Sequence, residues 1–144
     1  MDLEIAFSVA GVAAMIGWLA LLASPLMPVW SDRIAGYAVP LVLSLGYAFL
    51  SLVAPPTEGG FASLAEVLLL FAQPMSLLAG WVHFLAFDLL IGAWACRTAR
   101  RERIAFWLVV PCLVLTFLLG PAGFLAFCIL RAGSVAFRRE NPIG

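Results

Sequence analysis

Lysine is absent from this chain; all eight basic residues are arginine. Chemistry that needs a lysine Schiff base, retinal attachment included, is therefore excluded. Histidine occurs once, at position 83. A multi-histidine metal site of the membrane hydroxylase or desaturase kind cannot be built from one imidazole. The cysteines, Cys96, Cys112 and Cys128, form no CxxC pair. Cys112 and Cys128 stand too far apart along one helix to bridge, so buried free thiols are expected. No metal, cofactor or nucleotide signature remains. Charge is also scarce: 11% of residues against about 25% in soluble domains. The formal net charge of zero suggests no nucleic-acid partner. A signal peptide is not expected, because Asp2 and Glu4 stand where it would carry positive charge.

What the chain has instead is apolar surface. Its residues are 65% hydrophobic and its mean hydropathy is +1.10. Membrane lipid is its expected environment, and residues 1–144 read as one integral membrane domain. The predicted fold class is all-α: a four-helix transmembrane bundle with a short interfacial or re-entrant helix before the third span. Spans are expected at about 5–23, 34–54, 74–96 and 104–130, each with at least the roughly 20 residues that cross about 30 Å of hydrocarbon. The fourth is longer than one crossing needs and should tilt or kink, with Pro111 and Pro121 as the candidate sites. Residues 61–72 are too few to span. Ser63, Glu66 and Gln73 would form a narrow polar stripe on that helix, and Pro74 would separate it from the third span. Trp18, Trp30, Trp81, Trp94 and Trp107 fall mostly near span ends, as interface anchors do.

Arginine placement bears on orientation. In a four-span bundle, Arg33, Arg97, Arg100, Arg101 and Arg103 share one side, and Arg131, Arg138 and Arg139 take the other. The larger group favours cytoplasmic loops one and three, with both termini outside, and the tail arginines oppose this. A re-entrant break at Gly120-Pro121 would remove the conflict. A bacterial cytoplasmic membrane is the expected location. A pore would require several copies of so small a bundle, which makes a homo-oligomer one partner to consider.

The stretch WVHFLAFDLLIGAW (81–94) places His83 and Asp88 inside the third span. Ionisable groups at such depth are costly and mark functional interiors. On a helix the two lie about 140° apart, so they do not stack but can flank one interior sector. A protonated carboxyl and a neutral imidazole make a workable acid and base in one pocket. Trp81, Phe84, Asp88 and Gly92 form one stripe, with Phe87 beside it. That stripe suits a pocket in which a flat apolar molecule meets one carboxylate. The alternative is structural: Asp88 pairs with an arginine, or His83 bonds a carbonyl. Asp88 is expected to face the interior, at the end of a cleft lined by Trp81 and Phe84, with His83, Tyr47 or Thr116 as partner.

GWVHFLAFDLLIGAW (80–94) and PCLVLTFLLGPAGFLAFCILR (111–131) resemble the two signatures of the ABA-deficient-four-like family of small four-span membrane proteins. The resemblance covers about residues 5–135. Plant members of that family are implicated in turning violaxanthin into neoxanthin. The resemblance thus implies a redox-neutral isomerisation of a membrane-dissolved carotenoid or isoprenoid. An acid would protonate an epoxide oxygen and a base would take a proton from carbon, with no cofactor. His83 and Asp88 would be the proton-transfer groups, and Trp81, Phe84, Phe87 and Gly92 would contact the polyene. The alternative is a carotenoid- or lipid-binding or structural membrane protein that converts nothing.

Overall fold

A computed structural model describes residues 2–56 and 58–140, the last three by backbone alone. Helix α1 spans Leu3–Leu22. Asp2 caps it, accepting from the backbone N–H groups of Glu4 and Ile5, which satisfies donors that the first turn leaves free. The second long apolar stretch is built in three pieces: α2 (Pro28–Arg33), a π-helical turn (Ile34–Ala38) and α3 (Val39–Val53). The wide turn lies just before Pro40, whose ring clashes with a normal helical carbonyl and which donates no hydrogen bond. Helix α4 (Leu64–Ala72) is short. Helix α5 (Pro74–Arg101) is the longest and most buried element. Helices α6 (Phe106–Leu119) and α7 (Pro121–Glu140) complete the chain.

Three of these stretches, Leu3–Leu22, Pro28–Val53 and Pro74–Arg101, are long and apolar enough to cross a membrane. Each agrees with an expected span, although the second begins earlier and the third runs further. Small residues set how they pack. A side-chain carbon at Gly17 would lie 2.8 Å from both methyls of Leu89, and one at Gly92 would lie 2.6 Å from Leu21. With the Phe7–Trp81 ring contact, these pairs align α1 parallel to α5. Helix α3 runs antiparallel to α5, with Gly36 beside Ala93 and Arg97 and Tyr47 beside His83. Helix α4 caps one end of this layer. Ser63 accepts from Glu66 N–H, and Glu66 reaches back to Ala62 N–H. The polar stripe expected along this helix is therefore in part a capping pair.

The fourth span departs from expectation. The chain does not continue from 104 to 130 as one helix, and three, not four, of the described helical stretches are long and apolar enough to cross a membrane. It breaks at Gly120 (φ 16, ψ −80) and turns back on itself. Gly123 lies against Thr116, Leu130 and Leu108 line one cleft, and Arg131 pairs with Glu102 at 2.6 Å. These contacts make α6 and α7 an antiparallel hairpin. The physical cause is local. Proline disfavours helical backbone at the residue before it, cannot continue α6 and suits the first turn of α7. Pro111, the other candidate, stays inside an unbroken α6. An α6 of 14 residues rises only about 21 Å, short of a full crossing. Its tip stops beside Asp88, near the midpoint of α5.

This topology resolves the arginine conflict. Arg33, Arg97, Arg100, Arg101, Arg103 and Arg131 all fall at one end of the molecule, and Arg138 and Arg139 follow Arg131 on α7. Asp2, Glu4, Glu58 and Glu66 fall at the other. At the arginine end α5 closes in a Schellman turn: Ile104 N–H bonds the Ala99 carbonyl and Arg103 N–H bonds that of Arg100. Arg103 occupies the left-handed position (φ 53), where glycine is usual and another residue costs about 1 kcal/mol.

Candidate functional site

The helices hold His83 and Asp88 in different surroundings. His83 lines a cavity of about 540 Å³ between the end of α3, α4 and the start of α5, at the acidic end of the molecule. Asp88 does not line it. The volume is in the usual range for small-molecule sites. Its apolar walls come from Ala54, Pro55, Pro56, Phe61, Leu70 and Phe71. Gly80 makes room for this roof: a side-chain carbon there would lie 2.6 Å from the Phe71 ring. Four polar side chains interrupt the apolar lining: Tyr47 and Ser51 on α3, Ser76 and His83 on α5. Each pair follows helical spacing, four residues apart on α3 and seven on α5, so each projects from one face. None of the four side chains has a hydrogen-bond partner among the described residues. The imidazole packs between two rings, stacked on Phe87 (centroids 4.5 Å apart, 25°) and tilted against Tyr47 (5.6 Å, 55°).

Asp88 is 5% exposed and faces the hairpin tip. A side-chain carbon at Gly120 would lie 2.6 Å from its Oδ1. The expected partners are placed elsewhere. Thr116 donates to the Cys112 carbonyl one turn back at 2.8 Å, and Tyr47 and His83 belong to the cavity. Arginine is not its partner either: the ion pairs among the described residues are Arg100–Asp32 and Arg131–Glu102. The carboxyl is thus an unpartnered polar group filling the space that the missing side chain of Gly120 leaves.

The remaining expected site residues divide likewise. Trp81 stacks on Phe84 (5.7 Å, 25°) and meets Phe7 of α1 (5.7 Å), so this pair forms an aromatic seam between α1 and α5 and does not line the described cavity. Phe87 supports His83. Gly92 is a packing site, filled by Leu21 with Trp18 and Leu113 close by. Among the polar and aromatic cavity residues, the sequence did not single out Ser51, Phe61 and Phe71; Tyr47 and Ser76 read as ordinary polar groups of a bundle. The available signal was the shared spacing of Tyr47 with Ser51 and of Ser76 with His83, which means little until α3 and α5 are known to face each other.

A third polar cluster lies at the arginine end. Arg100 donates to Ser24 Oγ and to Asp32 Oδ2, both at 2.6 Å, which ties the first loop to α5. Asp32 Oδ1, Ser31 Oγ and Arg97 Nη1 are buried there without a protein partner. Among the described residues no group of three or more His, Cys, Asp or Glu side chains could hold a metal ion, and all three cysteines are free.

No curated protein and no solved structure matches the chain. The model of the ABA DEFICIENT 4-like family matches residues 5–127. That stretch takes in nearly all of the three long apolar helical stretches, the cavity lining, Asp88 and the hairpin tip, and the chain belongs to the ABA DEFICIENT 4-like family.

Proposed function

We propose that the protein catalyses a redox-neutral acid/base isomerisation of a membrane-dissolved carotenoid or related isoprenoid, with one end of the polyene in the α3–α4–α5 cavity. The observation that carries this reading is the lining: an apolar cavity with four unpartnered polar side chains, one of them the only imidazole in the chain. An apolar ligand with an oxygenated end group matches it. Hydroxyls orient the oxygen, and the apolar roof of α4 covers the ring. The reaction class needs one proton delivered to oxygen as a C–O bond opens and one removed from a neighbouring carbon, so atoms and electrons balance with no added oxidant or reductant. His83 is the base in this proposal. Tyr47 is the acid, because its ring stands against the imidazole in the same cavity. Family membership supports the substrate class and decides neither role.

The arginine-rich end faces the cytoplasm in this proposal, by the positive-inside rule, which puts the cavity in the opposite leaflet. The test is pigment composition in a carotenoid-producing host with and without the protein. Wild type should yield a new isomer of unchanged mass. His83→Ala and Tyr47→Phe should abolish it while expression in the membrane persists, and Asp88→Asn should spare it. Loss with Asp88→Asn but not Tyr47→Phe would return the acid role to Asp88. Recovery of unaltered pigment bound to the wild-type protein would leave binding as the function.

A further inference from the structure

A second cleft, of about 450 Å³, opens between the arms of the hairpin at the arginine end. We propose that it is a binding site for an anionic phospholipid, with an acyl chain between the arms and the headgroup phosphate on Arg103. Three observations converge on this. The walls are apolar, formed by Ile104, Leu108, Ile129 and Leu130 among others, and Gly133 leaves them open, since a side-chain carbon there would meet nothing within 4 Å. Arg103 stands on the rim without an ion-pair or hydrogen-bond partner. Two nearby arginines are already engaged, Arg131 with Glu102 and Arg100 with Asp32, and Arg101 lies outside the cleft lining. Among the described residues that line the cleft, Arg103 is the charged one and is uncompensated, which a net-negative headgroup complements and a zwitterionic one does not. Finally, Arg103 sits at a left-handed backbone position (φ 53) that glycine would fill without strain. An arginine at that position works against the turn, and charge at the cleft mouth gives it a role.

In this proposal the cleft mouth, at the arginine end, lies at headgroup depth. Trp107, 72% exposed, is the second residue of α6, as an interfacial anchor would be. Basic residues beside a membrane helix attract anionic lipids generally. The proposal is narrower: one arginine and one cleft should dominate the response.

The experiment is thermal unfolding of the full chain in nanodiscs of phosphatidylcholine alone or of equal parts phosphatidylcholine and phosphatidylglycerol. Wild type should melt about 5 °C higher in the mixed discs, the shift expected when a lipid is present well above its dissociation constant. Arg103→Gly should melt no lower than wild type in phosphatidylcholine and gain nothing from phosphatidylglycerol. Arg103→Lys should keep most of the gain. Gly133→Leu, which keeps the charge and fills the cleft, should lose it, and carries the test if Arg103→Gly does not fold. Arg33→Gln, at the same end but outside the cleft, should retain it. A wild type indifferent to lipid charge overturns the proposal, as does a full gain in Arg103→Gly or Gly133→Leu. Loss of the gain in Arg33→Gln would reduce the effect to general surface charge. Stabilisation by inorganic phosphate alone in phosphatidylcholine discs would replace the lipid with a soluble phosphoanion.

Discussion

Replacing Gly120 by alanine adds one methyl group where the hairpin tip meets α5. That carbon would lie 2.6 Å from Asp88 Oδ1, 3.4 Å from Cγ and 3.5 Å from Oδ2. Carbon and oxygen make even their close contacts at about 3.3 Å or more, so a gap of about 0.7 Å must open. Asp88 is buried and the tip is pinned between a helix end and Pro121, so neither moves freely. Overpacking of this kind costs about 2 kcal/mol, which for a chain of this length lowers Tm by about 6 °C. Asp88→Ala gives up side-chain packing but removes a buried carboxyl that has no partner, and should cost about 1 kcal/mol or less. In the double variant the methyl at 120 enters the space the carboxyl vacates, and the cost of Gly120→Ala should largely vanish. The coupling energy should therefore reach about 1.5 kcal/mol. Reversible unfolding of the four proteins in mixed micelles with increasing SDS, followed by tryptophan fluorescence, measures it. Additivity within about 0.5 kcal/mol would refute the contact, and with it the view that glycine stands at 120 because Asp88 needs the space.

Other outcomes follow from the same contacts. The hairpin puts the end of α7 at the arginine end, so a fluorescent protein fused to the chain's end should be bright in the cytoplasm and a periplasm-dependent phosphatase fusion inactive; the reverse pattern would mean that α6 and α7 cross the bilayer as one span. Arg100→Ala strips Ser24 and Asp32 of their partner and leaves a second Asp32 oxygen unpaired, a loss of about 2 kcal/mol for a half-buried pair, readable by the same unfolding assay. Arg100→Lys should recover less than half, because one ammonium cannot reproduce the fork that reaches both oxygens. Gly80→Leu should displace Phe71, unseat α4 and abolish ligand retention in the cavity with little change in membrane expression, checked by pigment co-purification.

Composition and periodicity alone determined the helical membrane architecture, because apolar runs of crossing length have few other stable states in lipid. The three long apolar stretches, the short α4 before Pro74 and the pause at Gln73 were all legible in this way. So was the special standing of positions 83 and 88, since ionisable groups in hydrocarbon are conspicuous in any sequence. The hairpin was legible only as an option. Gly120-Pro121 permits a kink, a tilt or a reversal, and local chemistry does not choose among them. Reversal rests on contacts distant in sequence: Gly123 against Thr116, and Arg131 on Glu102. The partners of His83 and Asp88 were not legible at all. Helical spacing fixes the angle between them but says nothing about which neighbour each meets. Tertiary packing sent the imidazole toward α3 and α4, where Tyr47 and two serines wait without partners, and sent the carboxyl into the space that a glycine on another helix leaves open.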